Sequence, residues 1–196
     1  MSRHRDMKRP TLKISYNAPV TLTFALVCAI VLALHFFTGG KTTALLFSVY
    51  HCVLDNIPAF IRFFGHAVGH SSYPHFIGNI VLILVLGPGL EDRYGSFPLL
   101  WAILLTALIS GLIQFFFFPG AALLGASGIV FMMIMLASFG GMRSGTIPLT
   151  LILVAVLYLG GELWDAIFVQ DNISQLTHII GGLCGTVLGF VLGRKS

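Results

Sequence analysis

Residues 98–118 read PLLWAILLTALISGLIQFFFF, a run of 21 residues without a single charge. A helix needs about 17–25 predominantly apolar residues to cross the hydrocarbon core of a bilayer, so this run is read as a membrane-spanning helix. Working outward with the same ruler gives five more spans, approximately over 20–37, 75–90, 125–141, 147–162 and 175–193. The second and fourth are short, and are expected to start below the membrane surface, inside the bundle. The composition agrees. Of 196 residues 57% are apolar and 9% charged, with a mean hydropathy of +0.95, whereas a soluble domain carries roughly 25% charged residues. A water-exposed globule is excluded, and the expected fold class is an all-α membrane protein with six transmembrane helices in one bundle. Seventeen Phe and 22 Gly suit that solvent, Gly being commoner in membrane helices than in soluble ones.

The formal charge of +4 is therefore a topology signal, and no nucleic-acid partner is expected. With the N-terminus cytoplasmic, the inner segments hold Arg3, Arg5, Lys8, Arg9, Lys13, Arg93, Arg143, Arg194 and Lys195, and the outer loops only Lys41 and Arg62. That is nine against two of the eleven basic residues, which favours both termini inside the cell membrane, after a basic tail over 1–19. The first apolar run follows that tail as a signal peptide would. Five spans and no small-residue cleavage site follow, so it is expected to stay. Residues 38–74 form a long outer loop rich in Leu45, Leu46, Phe47, Phe60, Ile61, Phe63 and Phe64, which points to short helices lying in the membrane interface. No repeat or linker interrupts the chain, so 1–196 is expected to be a single domain. Cys28, Cys52 and Cys184 show no CxxC or metal spacing and are read as packing residues.

Polar and ionisable residues inside a membrane are costly, so each is a functional candidate. Three groups stand out: Pro74-His75-Phe76-Ile77-Gly78-Asn79 opening the second span, Gly125-Ala126-Ser127-Gly128 opening the fourth, and Thr177-His178 in the first turn of the sixth. Even-numbered spans all begin on the outer side, so the three groups fall at one depth. A serine hydroxyl becomes nucleophilic when a nearby base takes its proton. Gly125 and Gly128 allow a tight turn and close approach of a substrate backbone. The helix N-terminus behind Ser127 offers N–H groups to a developing oxyanion. His178 is the candidate base, able to return the proton to a leaving amine. Gly181 and Gly185 follow on its face, and their small-xxx-small spacing lets two helices approach closely. His75 and Asn79 are four apart and share a helical face, where both can donate to an oxyanion. No acidic residue lies mid-span to orient His178, which favours a Ser–His dyad over a triad.

Outer-loop His70, His75-x-x-x-Asn79, Glu91-x-Arg93, GASG at 125–128 and His178-x-x-Gly181-x-x-x-Gly185 occur in the order found in the rhomboid intramembrane serine proteases, and the chain resembles that family from the long first loop to the sixth span. The resemblance implies a six-helix rhomboid bundle, Ser127 as nucleophile, His178 as base, and an oxyanion hole of His75, Asn79 and the Ser127 N–H. It implies transmembrane protein substrates within the bilayer, and no metal or cofactor. Two positions depart from the common pattern. A Trp-Arg pair of the first loop reads Ile61-Arg62 here, and a tyrosine that stacks on the histidine is Phe131. Glu91 and Arg93 are read as structural. Residues 160–174, with Gly160 and Gly161 as hinges and Trp164 and Phe168 as apolar cover, form a candidate lid. Three alternatives compete with this reading. A zinc protease using His66, His70 and His75 lacks the glutamate of HExxH, Ala67 standing in its place. A transporter calls for inverted repeats and mid-membrane charges. A catalytically silent relative that binds transmembrane segments is the main non-enzyme reading.

Overall fold

The computed structural model describes residues 15–141 and 172–193, together with 149, 152, 153 and 156. The expected fifth span and the candidate lid, with Gly160, Gly161, Trp164 and Phe168, lie outside the described residues apart from those four positions and 172–174. Leu149, Ile152, Leu153 and Val156 are helical and exposed. The described chain runs α1 (Pro19–Phe37), α2 (Lys41–Leu46), α3 (Ile57–Gly65), a 3-10 turn (His66–Val68), α4 (Tyr73–Tyr94), α5 (Ser96–Phe117), α6 (Ser127–Gly141) and α7 (Asn172–Gly193). The only β pairing among the described residues is an isolated bridge between Val49 and Leu123. By length and composition α1, α4 and α5 can each cross a membrane.

Local chemistry explains where these helices begin. Pro19, Pro58 and Pro74 stand at the first or second positions of α1, α3 and α4, where a missing N–H breaks no helical hydrogen bond. Asn56 caps α3 by accepting from Ala59 N at 3.0 Å, and Ser72 caps α4 by accepting from His75 N at 3.3 Å. Helix α1 has no such cap of its own, because Ala18 precedes it. The buried Glu91 carboxylate of α4 substitutes, accepting from Val20 N at 2.9 Å, Thr21 N at 3.0 Å and Thr21 Oγ1 at 2.9 Å. It also accepts from Ser96 Oγ at 2.7 Å at the start of α5. This is why α4 runs 22 residues, to Tyr94, rather than stopping near residue 90. A polar EDR run that reads as a loop is helical because its acid is consumed by two neighbouring helix starts. Gly95, at φ +90, then turns the chain directly into α5.

Helix α6 forms the centre. Ile129, Val130, Met132, Met133 and Leu136 are each at most 2% exposed, as befits a helix apolar on every side. It packs against α4, α5 and most extensively α7. The first loop is fastened over this core. In α3, Ile57, Phe60, Ile61 and Phe64 face outward while Ala59, Arg62 and Phe63 are buried, the amphipathic pattern of a helix with one face on apolar surroundings. Buried Arg62 donates from Nε to Leu45 O at 2.8 Å and from Nη1 to Cys52 Sγ at 3.3 Å, and lies 4.3 Å from the Tyr50 ring centroid. Cys52 thus has a bonding role that its isolated position in sequence did not suggest.

Candidate active site

Ser127 is the first residue of α6 and is half-buried. Its approach loop is held at several points. Leu123 pairs with Val49 through two 2.9 Å backbone bonds. Gly125 has φ +125, a region that favours glycine, and its N–H donates to the His66 carbonyl at 2.9 Å. A β-carbon on Gly125 would sit 2.7 Å from His75 Nε2, so the imidazole of α4 lies directly against the turn that presents Ser127.

His178 lies in the second turn of α7, since the helix begins at Asn172, ahead of the expected start near residue 175. Its ring is buried and stacks on Phe131 with centroids 4.6 Å apart and planes 19° apart. Phe131 is one helical turn after Ser127 on the same face of α6. The register of this seam is set by glycine. A β-carbon on Gly181 would overlap the Gly128 carbonyl, and one on Gly185 would overlap the Met132 carbonyl and stand 2.8 Å from Met135 Cβ. Gly128 also lies close to Thr177, its added β-carbon 3.0 Å from Thr177 Cγ2. Gly128 therefore faces residues 177 and 181, and Phe131 faces His178, which sets Ser127 and His178 in one layer of the α6–α7 seam.

On the α4 side Asn79 is buried, and its Nδ2 donates to the His75 carbonyl at 2.9 Å. An amide nitrogen carries two hydrogens, so one donor is left over. His75 is half-buried, with its ring 5.0 Å from that of His70 at 64°. His70 is fully buried, and its Nδ1 lies 3.2 Å from Val68 O. His66 is also buried, and its Nε2 donates to Ala107 O of α5 at 2.9 Å. Burial pushes both imidazoles down to about 4. The nearby His75 lowers His70 further, while the carbonyls of Val68 and Ala107 act in the opposite sense. At neutral pH both rings are uncharged.

His66 and His70 belong to the site's framework; the sequence reading weighed both as zinc ligands and counted His70 in the rhomboid pattern, but gave neither a supporting role. Their bonds run mainly to backbone carbonyls, which no side-chain pattern displays. The available signal was a histidine in the mostly apolar segment IPAFIRFFGHAV, where only Arg62 is also polar. Among the described residues, no three His, Cys, Asp or Glu side chains are grouped to hold a metal ion.

Comparison with known proteins bears on the same region. A family model described as the rhomboid domain matches residues 58–195. Rhomboid-related protein 2 of Mus musculus is 28% identical over 147 residues, covering 67% of this chain and 47% of the mouse protein. Rhomboid-related protein 1 of Caenorhabditis elegans is 27% identical over 140 residues, covering 67% of this chain and 39% of the worm protein. Rhomboid protease GlpG of Yersinia pestis (strain Pestoides F) is 26% identical over 186 residues, covering 93% of this chain and 66% of that protein. The chain thus spans less than half the length of the two animal relatives it matches and about two thirds of GlpG. With the domain match covering well over half of its length, from the first loop through α7, the chain belongs to the rhomboid family.

Proposed function

We propose that this chain is a serine endopeptidase that cleaves membrane-anchored proteins near the outer surface of its membrane, with Ser127 and His178 as a dyad. The observation that carries the reading is the α6–α7 seam, where glycine contacts and the Phe131–His178 stack set a buried imidazole in the layer of Ser127. In this reading His178 takes the Ser127 proton as Oγ attacks the scissile carbonyl, then delivers it to the leaving amine. Water completes the cycle by hydrolysing the acyl-enzyme. The Ser127 N–H, the remaining Asn79 amide hydrogen and the His75 ring are the donors for the oxyanion, aided by the positive end of α6. Gly125, without a side chain, lets the His75 ring lie directly against the turn that presents Ser127. The stack on Phe131 limits the rotamers of His178.

The rest of the proposal follows from charge and depth. Residues 1–196 act as one domain, both termini lie on the cytoplasmic side, and the site opens outward. Trp164 and Phe168 are assigned as gate residues on sequence alone. The test is covalent labelling of detergent-solubilised protein with a fluorophosphonate probe, followed by peptide mapping. Labelling at Ser127 that disappears in His178→Ala supports the dyad. An unlabelled, folded protein, under conditions that label an active rhomboid, would instead favour a silent binder of transmembrane segments.

A further inference from the structure

We propose, resting on the reading of Ser127 as nucleophile, that His51 is a positioning residue for it, holding the turn that carries the serine through a hydrogen bond to the end of α5. In an α-helix each N–H bonds to the carbonyl four residues before it. The partner of the Phe115 carbonyl would be the N–H of residue 119, but that residue is Pro119, which has no N–H to give. His51 takes its place. Its Nδ1 lies 3.0 Å from Phe115 O, and because a carbonyl oxygen can only accept, the ring hydrogen sits on Nδ1. The imidazole also packs on the Phe115 ring, with centroids 4.9 Å apart and planes at 35°.

That bond is made at a junction. Phe115 belongs to a small buried cluster, separate from the main core, with Val49 and Phe63 of the first loop and Leu123 of the loop after α5. Val49, two residues before His51, exchanges both backbone hydrogen bonds with Leu123. Ser127 stands four residues after Leu123, and between them the Gly125 N–H is held on the His66 carbonyl. On α5 itself, buried Gln114 donates from Nε2 to Ala121 O at 3.0 Å. Gln114 thus ties the loop to α5, and His51 ties the strand that pairs with the loop to the same helix end. Apolar contact is non-directional, so the cluster alone does not fix how residues 48–51 lie against α5. The His51 bond does. Its loss also leaves the Phe115 carbonyl without a partner, and loosening there reaches both the backbone N–H and the Oγ of Ser127. His35 provides the contrast. Its Nδ1 lies 2.9 Å from Thr43 Oγ1, joining α1 to α2 at the start of the first loop.

The experiment compares the purified full chain with His51→Phe, His51→Asn and His35→Phe. It reads hydrogen–deuterium exchange of peptides over 119–128 and the rate of fluorophosphonate labelling at Ser127 per folded molecule. Phe keeps a ring on Phe115 and removes the donor, whereas Asn places an amide nitrogen where Nδ1 stood. His51 is exposed, so both substitutions leave the core intact. In His51→Phe the peptides holding Leu123 and Gly125 should exchange roughly tenfold faster, the worth of one hydrogen bond in local opening, and labelling should slow by at least as much. His51→Asn should bring both back to within about twofold of the parent. His35→Phe should leave both unchanged. The proposal is overturned if His51→Phe matches the parent in exchange and labelling, or if His51→Asn is as impaired as His51→Phe. Faster exchange spread evenly over the whole chain would also overturn it, since that reports lost stability and no local brace. A parent that exchanges as expected but never labels would overturn the dyad reading and the positioning role with it. A labelled parent indifferent to His51 overturns the positioning role alone.

Discussion

Gly181 and Gly182 are adjacent in α7, yet the same substitution should have opposite effects on them. A β-carbon on Gly181 overlaps the Gly128 carbonyl, whereas one on Gly182 meets only Met135 Cγ at 3.9 Å, an ordinary contact. The first overlap involves backbone on both sides, so no side chain can rotate away. Relieving it requires α6 and α7 to separate by on the order of 1 Å. Overpacking of this kind costs about 1–3 kcal/mol. A 1 Å displacement of catalytic groups can cost about a hundredfold in rate. Gly181→Ala should therefore lower the thermal midpoint by several degrees and cut fluorophosphonate labelling of Ser127 by about two orders of magnitude. Gly182→Ala incurs no clash and gains helix propensity, about 0.4–1 kcal/mol. It should be neutral or stabilising, with labelling unchanged. Both variants are measured together, by thermal unfolding and by labelling rate per folded molecule. If Gly181→Ala kept the parent's midpoint and labelling rate, the seam would not be what holds His178 against α6.

Phe131→Ala should lose labelling even at temperatures where the protein remains folded, because His178 loses the ring it stacks on, while Phe131→Tyr should retain it. A loss strictly proportional to the loss of folded protein would reduce Phe131 to a core residue, whose removal costs about 3–5 kcal/mol. Glu91→Ala should destabilise by on the order of 3 kcal/mol in thermal unfolding, because it orphans the first N–H groups of α1. Arg93→Ala, at an exposed position, should change stability by no more than about 0.5 kcal/mol, and a larger effect there than at Glu91 would discount the shared cap. His66 and His70 titrate near 4 when folded against an ordinary 6.5, so between those values the unfolded chain binds more protons. Their stabilisation is complete above about pH 6.5 and is lost as pH falls towards 4, by on the order of a few kcal/mol. Thermal midpoints across that window should fall with pH, and His66→Phe should flatten the slope.

The spans over 20–37 and 98–118 are legible because long uncharged runs have one solution in a bilayer. The seam is legible too: His178, Gly181 and Gly185 recur at helical spacing, and Phe131 follows Ser127 by one turn. The ends of α4 and α7 are less so. Glu91, Asp92 and Arg93 read as the end of a span until the carboxylate's partners are known, Val20 and Thr21 of α1 some 70 residues away in sequence and Ser96 at the start of α5. The support from His66 and His70 is hidden as well, because its bonds are to the backbone carbonyls of Ala107 and Val68, which no side-chain pattern displays. Hydropathy records what a side chain avoids. It does not record which distant backbone atom that side chain will satisfy.

The shared cap has a consequence for biogenesis. The carboxylate that completes α1 lies 71 residues downstream of Val20. At about 5–20 residues per second, it leaves the ribosome roughly 4–14 s after the helix it serves. Through that interval the leading N–H groups of α1 can bond only to water or lipid headgroups, which holds its first turn at the membrane surface. Arrival of α4 and Ser96 then draws the first turn of α1 into the assembled protein. The seating of the first helix is in this way timed by the synthesis of the second long one, and a ribosome pause between residues 37 and 91 would prolong the half-seated state.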